Sequence, residues 1–391
     1  MSIRAQLRKE LLREGEERTS MELEVPQDIR RIYRIFKSKG KELFVVGGSI
    51  RDALLGREPK DWDLATDATP DEVIRMLKHE SFIKNIIETG KAFGVINALT
   101  DADEYEIATF RSESGYEDSR RPSNVEFSDI ATDVMRRDLT INALFYDLGT
   151  NEVVDLVGGV EDLKNGIVRT VGNAGERFDE DKLRILRAIR FAGRFGSEVD
   201  DDIDKILQQG VDMSQISGER IRDEFIKGIK TSKSTVHFLG LMNKYDLLKQ
   251  VFPNIMDGYS TDSFMESNDP DLVIASLLMR GQLFGDVAKH LNGLKYPSEQ
   301  IKNIQFLIYL TKFNPNIVVE MRKMREKTSL SDEQIMEFAR FNNLDEQLVS
   351  TFLSFDLTVN GNEVMQKFGL KGADVGKKIK ELEINNFRAT I

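Results

Sequence analysis

Asp61 and Asp63 stand two residues apart in Asp61-Trp62-Asp63-Leu64-Ala65-Thr66, whose alternation of polar and apolar residues predicts a half-buried strand. Residues i and i+2 of a strand share a face, so both carboxylates are expected to project together. Two hard oxygen donors with no His or Cys near them in the chain suit Mg²⁺ far better than zinc. Just upstream, the apolar run Leu43-Phe44-Val45-Val46 leads into Gly47-Gly48-Ser49-Ile50-Arg51-Asp52 and a helix-like stretch to Leu55. Glycine lets backbone N–H groups approach a ligand closely, a helix start favours anions, and a guanidinium forks onto phosphate oxygens. A plain tight turn with a surface arginine would use the same residue types. The acidic pair about ten residues further on makes the difference, because phosphate cradle and carboxylates together suit a nucleoside triphosphate held against two divalent cations for in-line attack. Glu106, set among apolar residues in Tyr105-Glu106-Ile107-Ala108-Thr109-Phe110, is the candidate third acid, whereas Asp101 and Asp103 have the character of turn residues.

These residues need a frame. Strand candidates at Phe93–Leu99 and Tyr105–Phe110, with a helix opened by Pro70, predict a mixed α/β head. A polar, Arg-rich loop without periodicity follows from Ser112 to Asn124. From Asp133 onward the apolar period lengthens from two toward 3.6, with only Val153–Leu156 and Val168–Val171 strand-like, and after Gly175 nearly everything is amphipathic helix. The expected fold is thus an α/β head followed by an elongated all-α neck, body and tail. With 391 residues, 40% of them hydrophobic, the chain has material for several cores.

The absence of cysteine excludes disulfides, thiolate metal sites and cysteine nucleophiles. The charged stretch Met1 to Glu17 and the lack of any long apolar run predict neither a signal peptide nor a membrane span, and hence a cytoplasmic protein. A net charge of -11 argues against a phosphate-coated partner, yet residues 61–176 alone carry 24 acidic and 11 basic residues. The remainder is slightly basic.

The run Gly47-Gly48-x-x-Arg51-Asp52-x-Leu54-Leu55-Gly56-Arg57-x-Pro59-x-Asp61-x-Asp63-x-Ala65-Thr66 closely resembles the signature of class II tRNA nucleotidyltransferases (CCA-adding enzymes) and bacterial poly(A) polymerases, members of the polymerase-beta superfamily. Further segments resemble family motifs in the family's order. Arg136-Arg137-Asp138-Leu139-Thr140-Ile141-Asn142 resembles the ribose-selecting motif, implying sugar contacts from the Arg136, Arg137 and Asp138 side chains and a nucleotide-binding role for Asn142. Gly158-Gly159-Val160-Glu161-Asp162-Leu163 resembles the hinge between head and neck, Glu180-Asp181-Lys182-Leu183-Arg184 the amino-acid template, and Ser217-x-Glu219-Arg220-Ile221-x-x-Glu224-Phe225 the neck-bracing motif. The loop Ser112–Asn124, with Tyr116, Asp118, Arg120 and Arg121, corresponds to the flexible loop that assists the switch from C to A addition.

The template motif has a physical reading of its own. Three apart on an expected helix, Asp181 and Arg184 share a face, so an acceptor and a donor point the same way. A carboxylate pairs with the exocyclic amine of cytosine or adenine, and a guanidinium with the adjacent ring acceptor. Uracil and guanine present a carbonyl instead, at a cost of about 1–3 kcal/mol per lost partner. Further along, Arg184, Arg187, Arg190 and Arg194 fall at about 0°, 300°, 240° and 280° around a helix. A solvated face would rarely gather four arginines without an acid, and the resemblance assigns nucleotide binding to Arg187 and Arg190.

The resemblance implies domains at 1–28 (N-terminal extension), 29–157 (catalytic head), 158–225 (neck with template helix), 226–315 (helical body) and 316–391 (helical tail contacting tRNA). It implies two Mg²⁺ ions, CTP and ATP as substrates, the acceptor stem and elbow of tRNA as partner, and catalytic roles for Asp61, Asp63 and Glu106. Lys371, Lys377, Lys378 and Lys380 are candidate tRNA contacts in the tail. Full CCA addition is the leading expectation because Thr89-Gly90-Lys91-Ala92-Phe93-Gly94 stands where poly(A) polymerases carry a Gly-Arg-Arg-Phe stretch. A-only addition, poly(A) synthesis and a catalytically dead RNA-binding protein are the alternatives. His79, His237 and His290 are never followed by Asp, so no His-Asp phosphohydrolase site is expected.

Overall fold

A computed structural model describes residues 16–115, 124–252, 263–280 and 287–391. Tyr116, Asp118, Arg120 and Arg121 of the expected flexible loop lie outside the described residues. The chain divides into two compact units, Met1–Gln215 and Ile216–Ile391.

The first unit is built on an eight-stranded mixed sheet. In chain order its elements begin with β1 (Glu17–Ser20), α1 (Gln27–Ser38), β2 (Leu43–Val46), α2 (Gly48–Leu54), β3 (Asp63–Thr66) and α3 (Pro70–Leu77). They continue with β4 (Ile83–Ile87), β5 (Val95–Thr100), β6 (Glu104–Thr109), β7 (Arg111–Ser114), β8 (Asn124–Phe127) and α4 (Ile130–Val134). β9 (Phe145–Asp147) and β10 (Glu152–Asp155) complete the sheet in the order β1-β10-β9-β2-β3-β6-β5-β4. β3 and β6 run parallel, which sets Asp63 beside Glu106, while Val46 lies opposite both Asp63 and Phe145. Register therefore brings two of the candidate acids to one level of the sheet, next to the glycine turn that ends β2.

Both faces of the sheet are covered. Ile29, Ile32 and Phe36 of α1 pack with Ile50, Val73, Leu77, Ile96 and Ile107 on one side. Phe44, Phe110 and Phe145 meet on the other with ring centroids 6.1–6.2 Å apart. α3 starts as its sequence dictates, with Pro70 in the first turn and a reciprocal cap in which Glu72 N–H donates to Thr69 Oγ1 (3.4 Å) and Thr69 N–H to Glu72 Oε2 (2.9 Å).

The sequence expectations need several corrections. The strand carrying the aspartates starts at Asp63, so Asp61 precedes it rather than sharing its pleat. Glu17–Ser20 of the expected N-terminal extension is an edge strand paired with β10. Phe93 belongs to a 3-10 turn before β5, and Val168–Val171 makes only isolated bridges, Leu139 to Thr170 and Val168 to Val199. Ser112 was expected in an irregular loop, yet β7 and β8 pair as a hairpin with Arg111 opposite Phe127.

The unit closes with α5 (Gly159–Asn165), α6 (Ala174–Glu180), α7 (Leu183–Phe195) and α8 (Asp201–Gln208). Asp155 Oδ1 and Oδ2 accept from the Val157 and Val160 N–H groups at the entry to α5. A side chain on Gly159 would put its Cβ 2.2 Å from the Thr140 carbonyl oxygen, so only glycine allows α5 to lie against the turn Thr140–Asn142. Thr140 Oγ1 also donates to Asp162 Oδ2 at 2.7 Å. The hinge-like motif thereby anchors the segment that carries Asp138 and Asn142.

The second unit is helical throughout its described residues, from Gly218–Thr231 to Ala373–Arg388. Ser217 caps its first helix, and Gly228 allows the Phe238 ring to approach to within 2.2 Å of where a Cβ would stand. Three tail lysines are engaged with acids: Lys377 with Asp374, Lys378 with Glu381 and Lys380 with Glu320.

Candidate nucleotide-binding site

A cleft of about 400 Å³ opens in the first unit where the turn after β2, the segment after α4 and the start of α7 converge. Gly47 and Gly48, Arg51, Asp63, the Arg136-Arg137-Asp138 run, Asn142, Asp181, Arg184 and Arg187 all line it. Segments far apart in sequence thus meet in one place. Asp61, Glu106 and Arg190 are not among the lining residues, and Phe191 is an addition that the sequence reading missed.

The turn is made by Gly47 at φ +74°, a left-handed conformation that favours glycine, after which α2 directs Arg51 inward. Arg51 is 5% exposed. Its guanidinium donates from Nη1 to Asn142 Oδ1 and from Nε to Asp52 Oδ1 (3.1 Å), and it lies 4.9 Å from the centre of the Phe191 ring. Burial, with Arg194 and Arg190 nearby, brings its pKa down to about 10 despite the opposing effect of Asp52. It remains a cation at neutral pH.

Asp138 is the hub of the opposite wall. Its Oδ2 accepts from Arg187 Nε at 2.7 Å, while Oδ1 accepts from the Leu139 N–H (2.8 Å) and Asn142 Nδ2 (3.3 Å). Burial raises the carboxyl pKa, but Arg187 and these hydrogen bonds outweigh it and bring the value down to about 2. Arg136 and Arg137 are oriented by a residue the sequence reading passed over, the buried Asp133. It accepts from Arg136 Nε at 2.8 Å and from Arg137 Nη2 at 3.0 Å. An acid three and four residues before two arginines on a helical turn was the available signal.

The template pair differs from its helical expectation. Asp181 follows the last residue of α6, with φ −148°, and its Oδ1 accepts from the Leu183 N–H (3.0 Å) at the start of α7. Arg184 in the first turn of α7 is fixed by three acceptors: Glu180 Oε2 (2.5 Å), the Arg136 carbonyl (2.9 Å) and the Arg177 carbonyl (3.3 Å). The two side chains reach the same cleft from a helix junction rather than from one helix face.

The arginine stripe on α7 packs inward rather than into solvent. Arg187 meets Asp138, Arg190 lies 4.3 Å from the centre of the Phe191 ring and is 7% exposed, and Arg194 Nη2 donates to both oxygens of Asp52 (2.9 and 3.1 Å).

The acidic edge is built differently. Asp61, Asp63 and Glu106 are all exposed at residue level. The protein mass around Asp63, and then Asp61, raise the Asp63 pKa from its ordinary value, against the opposing effect of Arg137. Surrounding protein mass and then Asp63 do the same for Glu106. Among the described residues no three His, Cys, Asp or Glu side chains are grouped so as to hold a metal. A pair of carboxylates nonetheless matches what Mg²⁺ takes from a protein when substrate phosphates and water complete its shell, so Asp61 and Asp63 fit the ion without a third ligand.

Comparison with known proteins identifies the class. Residues 43–169 match the poly A polymerase head domain, and residues 204–258 match the probable RNA and SrmB binding site of polymerase A. The head is that of a nucleotidyltransferase. The CCA-adding enzyme of Lactobacillus helveticus is 32% identical over 381 residues, covering 91% of this chain and 92% of its own length. That of Bacillus pumilus is 42% identical over 193 residues, 49% of this chain and 46% of its own. The fold matches the crystal structure of the Bacillus stearothermophilus CCA-adding enzyme in complex with CTP, with TM-score 0.69 at 24% identity over 93% of this chain and 92% of that one. It also matches the Thermotoga maritima CCA-adding enzyme complexed with tRNA, with TM-score 0.66 at 21% identity over 97% and 93% of the two chains. The chain belongs to the CCA-adding enzyme family.

Proposed function

We propose that this chain adds C, C and A, from CTP and ATP, to the 3′ end of tRNA, with the cleft of the first unit serving both nucleotides. The observation that carries this reading is the convergence of the glycine turn and Arg51, Asp63, Asp138 with Asn142, and Asp181 with Arg184 around one cleft large enough for a nucleotide.

In the proposed reaction the terminal 3′ oxygen of tRNA, its hydroxyl proton passing to solvent, forms a bond to the α-phosphorus. The bond from that phosphorus to the β-bridging oxygen breaks, and pyrophosphate leaves. Asp61 and Asp63 would hold two Mg²⁺ ions, with Glu106 beside them; when bound, the ions neutralise the triphosphate and raise the acidity of the attacking hydroxyl. The backbone at Gly47 and Gly48 and the Arg51 guanidinium bind phosphate oxygens. Asp138, Asn142, Arg136 and Arg137 bind the sugar. Asp181 accepts from the exocyclic amine of cytosine or adenine, Arg184 donates to the adjacent ring acceptor, and Arg187 and Arg190 hold the nucleotide from the α7 side. Arg184 enters this task already fixed by Glu180 and two carbonyls, which lowers the ordering cost of reading a base. The helical tail 316–391 reads tRNA by shape and phosphate, and the reaction takes place in the cytoplasm.

The test is product sequencing. tRNA ends lacking CCA, CA or A are supplied with CTP and ATP together and separately. Ends completed to CCA and no further support the reading, whereas A-only products or long A tails contradict it.

A further inference from the structure

We propose that Arg194 and Asp52, neither of which lines the cleft, form a positioning pair that sets Arg51 for the nucleotide. The proposal rests on the reading of the cleft as the nucleotide site. Asp52 directly follows Arg51 on α2, and consecutive helix residues diverge by about 100°, so their side chains do not naturally meet. Yet Arg51 Nε donates to Asp52 Oδ1 at 3.1 Å, and Nη2 also lies 3.1 Å from that oxygen. What turns the carboxylate back is Arg194, whose Nη2 donates to Oδ1 at 2.9 Å and Oδ2 at 3.1 Å from the far end of α7. Asp52 is thereby shared between two guanidinium groups, both substantially withdrawn from solvent, with side-chain exposures of 6% for Arg51 and 19% for Arg194.

The pair also completes a circuit. Arg51 donates to Asn142 Oδ1, Asn142 Nδ2 to Asp138 Oδ1, and Arg187 Nε to Asp138 Oδ2. Arg187 and Arg194 are seven residues apart on α7, two turns along one side of the helix. Helix α7 therefore grips both ends of a chain of polar contacts that passes through the phosphate-side arginine and the sugar-side aspartate. Loss of Arg194 frees Asp52 to turn away, and Arg51 loses the acceptor that fixes its fork.

The test uses the full-length chain with Arg194→Gln, Asp52→Asn, their combination and Arg194→Lys. KM and kcat are measured for CTP on tRNA lacking CCA and for ATP on tRNA lacking the final A, alongside thermal melting. An interaction with the triphosphate common to both substrates predicts that Arg194→Gln raises KM for CTP and ATP by the same factor, about tenfold, with kcat changed far less. Arg194→Lys, which keeps the charge but has a shorter reach to Asp52 and lacks the planar guanidinium, gives an intermediate rise and guards against a fold defect in the Gln variant. The combined variant is no worse than Asp52→Asn alone. Unchanged KM values in Arg194→Gln and Arg194→Lys, additive effects in the combination, or a change confined to one nucleotide overturns the proposal. Failure of the unaltered chain to extend either end overturns the nucleotide-site reading itself.

Discussion

The acidic edge of the cleft and its arginine wall are opposite designs within one unit. On the wall, Arg51, Asp138, Asn142, Arg184 and Arg187 are fixed by hydrogen bonds, and the Asp138 pKa is held at about 2 by its partners. On the edge, Asp61, Asp63 and Glu106 are exposed, and Asp63 and Glu106 have raised pKa values to which a neighbouring acid contributes. The wall is complete as folded. The edge instead gathers neighbouring acids whose mutual repulsion and burial outweigh the nearby Arg137 at Asp63 and Arg111 and Arg136 at Glu106.

The largest effects should separate the two. Asp61→Ala or Asp63→Ala should lower addition of both C and A by at least about 10³-fold, since several kcal/mol of charge neutralisation are lost at tenfold per 1.4 kcal/mol. Single-turnover assays check this, and retained activity would break the comparison on the acidic side. On the wall, Asp181→Ala or Arg184→Ala should leave transfer competent but reduce discrimination of C over U by about tenfold or more, from one or two lost partners at 1–3 kcal/mol each. Competition between CTP and UTP reads this directly. Gly159→Ala, whose new Cβ would collide with the Thr140 carbonyl oxygen, should destabilise the chain by about 1–3 kcal/mol in denaturant melts and weaken the Asp138 side of the cleft.

The smallest effect is the most diagnostic of sign. A carboxyl with a raised folded pKa destabilises the fold once ionised, and the penalty fades as pH falls through that raised value. Asp63→Asn should therefore raise the melting temperature of the nucleotide-free chain at neutral pH, with the gain shrinking at acid pH. Mg²⁺ should stabilise the unaltered chain more than this variant. Asp138 works in the opposite sense: its depressed pKa contributes stability present above the ordinary aspartate value and lost as pH falls toward about 2.

Much of this was legible in the sequence. The glycine turn, the capped helix at Pro70 and the period change to helix carry local signals that survive folding. Three things were not. The short strands Glu17–Ser20 and Ile83–Ile87 lack an alternation strong enough to mark them, and their pairing partners are remote or set by the sheet. The helical placement of Asp181 failed because its backbone is extended at the junction of two helices, where periodicity is silent. Asp133 and Phe191, and the pairing of Asp52 with Arg194 across 142 positions, escaped because their importance lies in contacts across the fold. Motif spacing identifies groups that touch a ligand more readily than groups that hold those groups in place.

One preformed wall and one acidic edge should make a single site used by both nucleotides. Calorimetric titration of the unaltered chain with CTP, then with ATP in the presence of saturating CTP, tests it directly. One nucleotide per chain, mutual exclusion of CTP and ATP, and weakened binding of both in Arg184→Ala are expected. Simultaneous binding of the two nucleotides, or loss of only one of them in that variant, would contradict it.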